Sequence, residues 1–371
     1  MSPLVGAVRG NRWRILLAAC VAGLVLYAFL QLHIDLGQSL SLLRKTNVPD
    51  YLAAIGVFYA ASLVRAARWK LLLRNAGERA ALATAWRLQM VGWFLNGLVP
   101  AKPGDLYRAR ALDRAYRTST SKALGTIAME RLLDAGVLLL LIDALGLLLF
   151  RHRMPPVFAV ALLASGVILA TGLLLLTVFR SVRPRGIRLP ARISPFAQRF
   201  QAGLIGSVSN IPLLLAITTC LWLMEGVRLY LVVRALPIPI LSWIQLTFVA
   251  LAGSLLTAFP GLPGGLSLVE GGMVAVLVSF GLTVSVGLTV ALLDRLINYW
   301  SVLLLSLLAI SVAAIIHLLH ADNGRLAFAP WAHEPYRVAR LAIEQRAAQW
   351  RSHRKQSPAH VALGGADDLV A

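Results

Sequence analysis

Apolar runs of membrane-spanning length alternate with short basic segments along this chain. The runs cover about residues 15–32, 51–73, 123–150, 156–179, 212–233 and 287–319. A helix needs roughly 20 apolar residues to cross the hydrocarbon of a bilayer. Two further apolar pieces are interrupted. One covers about 81–99 and stops at Pro100, after which residues 101–122 are polar and basic. The other reads TAFPGLPGGLSLVEGG at 257–272, between apolar runs at about 240–259 and 266–282. Its prolines, Pro260 and Pro263, lack a backbone donor, and Gly261, Gly264 and Gly265 accept angles that other residues avoid. Irregular backbone survives at membrane depth only where protein buries it or where it lines a wet cavity. The pattern predicts either a plain surface loop here or the tip of a hairpin inside a helical bundle.

The distribution of Lys and Arg chooses between these, because short basic segments mark the cytoplasmic side. With the N-terminus inside, the second span returns to the inside at a cluster of Arg65, Arg68, Lys70, Arg74 and Arg79. A full crossing at 81–99 would carry Lys102, Arg108, Arg110, Arg114, Arg117 and Lys122 outside. A re-entrant hairpin keeps both basic flanks inside. The Arg- and Pro-rich linker at 180–200 then also falls inside. After the 212–233 span the chain stands outside, so 240–282 must return to the side it left if the basic tail is to end inside. The expectation is an all-helical polytopic bundle with about six full crossings and two re-entrant hairpins. Hydropathy alone also permits eight crossings.

A shift of about 160 residues lays Arg68 on Arg228, Arg74 on Arg234, Pro100 on Pro260, Pro103 on Pro263, Gly104 on Gly264 and Asp134 on Asp294. Agreement among Arg, Pro, Gly and Asp carries weight that Leu matches would not. Each unit reads span, hairpin, span, and the two begin on opposite sides. That predicts an inverted-topology repeat, a construction of secondary transporters with sites at broken helices near the midplane. The chain divides accordingly into a first helix and loop (1–50), a first repeat (51–150), a linking helix and basic linker (151–211), a second repeat (212–319) and a polar basic tail (320–371).

Composition agrees: 58% of residues are hydrophobic and 14% charged, against roughly 25% charged in soluble domains. The net charge of +20 does not point to nucleic acid, because the basic residues sit in short segments between apolar runs. Cys20 and Cys220 fall inside predicted spans and read as small core residues, not as a disulfide or metal site. Arg9, Arg12 and Arg14 precede the first run as in a signal peptide, but no small-residue cleavage pattern follows, so an uncleaved helix is expected.

Ionisable residues inside spans are costly and by default mark function. The motif ERLLD places Glu130 and Asp134 on one helix face beside Arg131. It reads either as a structural ion pair or as a grip on a lipid phosphate. Asp294, Arg295, Asn298 and Tyr299 lie well inside the last span, where an Arg offers a bidentate hold on phosphate that Lys cannot match. Glu225 and Arg228, three apart, either neutralise each other or join Arg68 in binding a head group. Glu270, a turn past the glycines, could cap helix amides, bind a cationic head group or carry a proton. Asn96, Lys102 and Asp105 flank the first break. Arg108, Arg110, Arg114 and Arg117 read as topology charges or contacts to anionic lipid heads. No P-loop or GxSxG occurs, and His317 and His320 lack a third ligand nearby. No enzyme activity, metal or cofactor is expected.

Five motifs together resemble a known family. They are LVRAARWKLLL (63–73), FLNGLVPAKPGDLYRARAL (94–112), ERLLD (130–134), FPGLPGGLSLVEGGMVAVLVSFG (259–281) and RLINYW (295–300). In order, they are similar to the flippase-like membrane domain of lysylphosphatidylglycerol synthases and related stand-alone bacterial proteins. The resemblance implies a bacterial inner-membrane protein that moves an amphipathic lipid between leaflets; the Lys/Arg bias puts both termini in the cytoplasm. A second reading is a non-transporting partner of a lipid-modifying enzyme or glycosyltransferase. About 50 residues follow the last predicted helix, so the aminoacyltransferase domain of the family's bifunctional members is not expected. Lys102–Pro103 departs from the Arg-Leu or similar pair expected before Gly104 and implies a stiffer turn.

Overall fold

In a computed structural model, residues 36–99, 102–152, 154–181, 194–257 and 263–321 are described. The span expected at 15–32, the breaks at Pro100 and Pro260, Cys20 and the tail beyond 321 lie outside these residues. All regular elements among the described residues are helices. Helix α1 (Leu36–Arg44) precedes α2 (Val48–Asn75), which begins with Pro49 in its first turn, where a missing N–H costs nothing. Next come α3 (Leu82–Leu98), α4 (Gly104–Tyr116), α5 (Thr120–Leu149), α6 (Pro156–Ser181), α7 (Ser194–Gly206) and α8 (Ile211–Arg234). Helix α9 (Trp243–Leu256) starts at a reciprocal cap between Ser242 and Gln245. A short 3-10 turn (Pro263–Gly265) leads to α10 (Leu268–Ser279). Helix α11 (Val284–Arg295) then passes through a π turn (Leu296–Trp300) into α12 (Ser301–Ala321). Residues to Ile310 form one compact unit; of the second unit, residues 311–321 are described and are helical.

Among the described residues five helical stretches are long and apolar enough to cross a membrane: α2, α5, α6, α8 and the continuous segment Val284–Ala309. These coincide with five of the six spans read from the sequence. Helices α3, α9 and α10 have 17, 14 and 12 residues. At 1.5 Å per residue they reach only about 18–25 Å, short of a hydrocarbon layer of about 30 Å.

Two pieces differ from expectation. The polar stretch before residue 50 contains the amphipathic helix α1, which packs on α11 and buries Leu42. The basic linker gives way at Ser194 to α7, which lies along α5 and buries Gly203 and Leu204. Both are too short and polar for a span-length hydropathy window to register.

Packing repeats along the chain. Helix α2 touches α3 and α5, α3 touches α4, and α4 touches α5. In the second half α8 touches α9 and α11, α9 touches α10, and α10 touches α11. One apolar core contains Ala66, Trp69, Leu73, Leu112 and Ile127 of the first half; another gathers Leu229, Val233, Leu246, Met273 and Val290 of the second half with Leu42, Ala54 and Phe58 of the first. The halves join where α2 lies against α8. There Asp50 pairs with Arg234, Arg65 with Glu225, and Asn75 with the Ser207 carbonyl. Partner numbers fall as α2 advances, so these two helices run antiparallel.

Helix α6 is the exception to this close packing. Only 6% of its apolar window is buried, and Val157, Leu163, Val167 and Leu174 are exposed. Such a surface is stable against lipid, not water.

Candidate functional site

Arg68 on α2 is fully buried. Its Nη1 donates to Asp134 Oδ1 at 2.6 Å and to Thr218 Oγ1 at 2.8 Å, and its Nη2 donates to Asp134 Oδ2 at 2.9 Å. Glu130, one turn before Asp134 on α5, stands 3.8 Å from the same guanidinium. The other side of Glu130 takes Arg108 of α4, with Nη2 to Oε2 at 3.0 Å. Arg108 lies over the Trp69 ring at 4.1 Å, a contact worth most where water is excluded. Trp69 in turn donates to Thr126 Oγ1 at 3.2 Å. Arg131, the residue between the two carboxylates, turns outward and grips Asp105 through Nε and Nη2 at 3.1 and 2.9 Å.

A second group straddles α2, α8 and α11. Arg65 Nη2 donates to Glu225 Oε1 at 3.0 Å, and the other oxygen of Glu225 pairs with Arg228 at 2.9 Å. Arg228 Nη1 lies 3.0 Å from Asp294 Oδ1 but off the hydrogen-bond line, so both atoms pair by charge alone. Asp294 Oδ2 accepts from Asn298 at 2.8 Å. Trp222 links the two groups: the Arg65 guanidinium sits 5.1 Å from its ring, and its Nε1 donates to the Asp134 carbonyl at 3.2 Å.

The third group flanks the two Pro/Gly stretches. Asn96 Oδ1 accepts from the Gly104 amide at 2.8 Å, bridging the first. A Cβ on Gly104 would fall 2.0 Å from the Gly92 carbonyl oxygen, so the two backbones approach as only glycine allows. At the second break Gly264 takes φ 58, and its carbonyl accepts from Arg295 Nη2 at 2.6 Å. Arg295 Nε donates to Glu270 Oε1 at 2.7 Å. Tyr299 lies beside Gly264 and donates to the Gly97 carbonyl at 3.1 Å, tying the end of α3 to the second break. Glu270 Oε2 and Asn298 Oδ1 are buried without hydrogen-bond partners.

All eleven residues expected to bind a head group fall in these three groups, Arg131 as the outward-turned member of the first. Arg65, Asp105, Arg108 and Thr218 join them, and here expectation needs correcting. Arg108 is not a topology charge beside Arg110, Arg114 and Arg117: it is 1% exposed and paired with Glu130. Its spacing of four from Gly104 and Leu112, both buried, was the available signal. Glu270 binds Arg295, not the helix amides. Cys220 is exposed, not a core residue. Among the described residues no cluster of three or more His, Cys, Asp or Glu is placed to hold a metal ion.

Acid and base are matched within the ion pairs. Arg65, Arg68, Arg108, Arg131, Arg228 and Arg295 stand against Asp105, Glu130, Asp134, Glu225, Glu270 and Asp294, and Lys102 lies near Asp105 and Arg131 of the first group. The Arg68–Asp134 and Arg228–Asp294 pairs occupy positions 160 apart in the chain, and Arg65 pairs with the residue 160 positions ahead of it.

A family profile described as the lysylphosphatidylglycerol synthase TM region matches residues 13–306. A UPF0104 membrane protein of Methanocaldococcus jannaschii is 30% identical over 212 residues, 57% of this chain and 90% of that protein. A UPF0104 membrane protein of Methanothermobacter thermautotrophicus is 26% identical over 321 residues, 80% of this chain and 93% of its own length. Another, of Pyrococcus horikoshii, is 22% identical over 311 residues, 76% and 92% of the two chains.

Proposed function

The chain belongs to the lysylphosphatidylglycerol synthase transmembrane-region family, and on that premise we propose that it moves a phospholipid or lipid-linked intermediate between the leaflets of a bacterial inner membrane. The observation that carries this reading is the network of six arginines paired with six carboxylates, most of them buried, within and between the helices. Charge at membrane depth is expensive and is kept where a polar solute passes. An ion-paired network can exchange an internal partner for the phosphate or the amine of a head group, so the head group's charge meets an opposite one. The tails stay in lipid throughout.

The reading includes two re-entrant hairpins in an inverted repeat. Glu78, at the exit of α2, pairs with Lys122 in the first turn of α5 at 3.1 Å. That supports residues 79–121 returning to the face they left. Helices α2 and α8 hold equivalent places in the packing order yet run in opposite directions. That supports opposite orientation of the two units, and the Lys/Arg bias of the sequence supports cytoplasmic termini.

The test is reconstitution into liposomes carrying fluorescent phospholipids, and separately polyprenyl-phosphate lipids. Leaflet exchange by the intact protein, lost in Arg295→Ala and Glu270→Gln variants that keep their thermal stability, is the expected result. No exchange of either lipid, with stable copurification of a lipid-modifying enzyme or glycosyltransferase, would replace transport by the scaffold reading.

A further inference from the structure

One cavity outside the ion networks does not balance its charge. It has a volume of about 380 Å³ and lies between the end of α4, the first turn of α5 and α7. Helix α5 presents its N-terminus there, with the amides that a helix leaves unpaired and the positive end of its dipole. Ser119, at the capping position, does not cover them. Its Oγ bonds Ser121 Oγ at 2.9 Å instead. Thr118 lines the cavity, is 5% exposed, and its Oγ1 has no hydrogen-bond partner. Burying an unsatisfied hydroxyl is unfavourable, and a rotation of this side chain would let a group seated in the cavity satisfy it.

The rim adds charge. Arg117, held in the left-handed region at φ 54, and Arg199 of α7 line the cavity against a single carboxylate, Asp113. That carboxylate accepts from Thr120 Oγ1 at 2.5 Å. Phe196, 51% exposed and stacked on Phe200, supplies an apolar shelf beside the charged rim. Two arginines, a helix N-terminus and an unpaired hydroxyl suit phosphate, and the shelf suits an attached chain.

We propose that this cavity binds a phosphate group, and that in the membrane the group belongs to an anionic phospholipid of the leaflet this face meets. The site is separate from the ion networks and does not depend on the transport reading. The hydroxyl-rich run Arg117–Lys122 (RTSTSK) is its sequence trace.

The experiment uses the full chain in detergent micelles with three probes: dioleoylphosphatidylglycerol, dioleoylphosphatidylcholine and inorganic phosphate. Native mass spectrometry reads retained lipid and thermal unfolding reads protection. Phosphatidylglycerol should be retained and protect more than phosphatidylcholine, because the rim carries one surplus positive charge. Arg199→Gln and Thr118→Val should each weaken that binding about tenfold, and Thr118→Ser should restore it. Without lipid, Thr118→Val should unfold no earlier than the parent, since a methyl replaces an unpaired hydroxyl. A folding defect is thereby distinguished from a binding defect. Protection by inorganic phosphate that the same variants abolish, without phosphatidylglycerol retention, would keep the anion site and overturn its lipid source. Retention of phosphatidylglycerol that neither variant changes, or no protection by any probe, would overturn the site itself.

Discussion

Removing Arg68 alone and removing it together with Asp134 should have opposite outcomes. The pair makes two hydrogen bonds of 2.6 and 2.9 Å with no solvent at the guanidinium. Two unit charges about 3 Å apart attract by about 5 kcal/mol at an effective dielectric near 20. Taking both from water costs several kcal/mol per ion, so the pair's net contribution is small. The single variant Arg68→Met changes the balance instead. Asp134 then stays buried without its cation, while Arg108 and Arg131 keep Glu130 and Asp105. Breaking one partner of such a pair costs about 3–5 kcal/mol. Arg68→Met with Asp134→Leu restores neutrality, since Glu130 keeps Arg108 at 3.0 Å. The double variant should lie within about 1 kcal/mol of the parent. Unfolding of the purified protein in micelles, followed by tryptophan fluorescence, gives the four corners of the cycle. A favourable coupling of about 3 kcal/mol or more is expected. The double variant should be folded yet unable to move lipid. Additive losses would refute the claim that charge balance, not either ion itself, holds this region together.

Other substitutions test other parts. Gly104→Ala should cost about 3 kcal/mol or prevent folding, because its Cβ would meet the Gly92 carbonyl at 2.0 Å. Gly136→Ala, with nothing within 4 Å, should be neutral or stabilise by up to about 1 kcal/mol; equal melting shifts in the two would contradict the close approach. Tyr299→Phe removes the bond to the Gly97 carbonyl, at about 1–3 kcal/mol. Amide exchange should quicken at 97–99 and 264–268 and stay unchanged in α6 if that bond ties the breaks together. Ser165→Ala removes the hydroxyl that donates to Asp143 Oδ2 at 2.6 Å, leaving a carboxylate short of a donor within α5. A loss of about 1–3 kcal/mol is expected, and an unchanged melting temperature would place water on that oxygen already.

The sequence made some of this legible and hid the rest for physical reasons. Span-length hydropathy found α2, α5, α6, α8 and the Val284–Ala309 segment, because uninterrupted apolar runs have few other uses. It passed over α1 and α7, whose 9 and 13 residues lie along other helices instead of crossing. The spacing of Glu130 and Asp134 placed both on one face, and both meet Arg68. Arg108 was hidden because one buried arginine among four in α4 and its end looks like its neighbours until α4 is docked on α5. Thr218 was hidden because a threonine in an apolar run gives no sign that it meets a guanidinium. Which acid each arginine takes is a tertiary fact, set by how the helices cross.

The Arg65–Glu225 pair shows why a search for identical residues stops short. Positions 68 and 228 both carry Arg, and 134 and 294 both carry Asp, because each pair closes within its own half. Positions 65 and 225 instead touch each other at 3.0 Å, where α2 and α8 cross. Two arginines or two glutamates at that distance would repel by about the same 5 kcal/mol that opposite charges gain. Residues 160 positions apart that meet one another must therefore differ. The difference also accounts for the unequal geometry of the two matching pairs. Glu225 lies three residues before Arg228 and draws its Nη2, so Arg228 reaches Asp294 with one nitrogen, off the hydrogen-bond line. Arg65 lies three residues before Arg68 and offers it no acid, so both nitrogens of Arg68 close on Asp134. Replacing Glu225 by Gln should free Arg228 to approach Asp294 as Arg68 approaches Asp134. A structure of that variant in which Arg228 keeps its single off-line contact would show that the asymmetry has another cause.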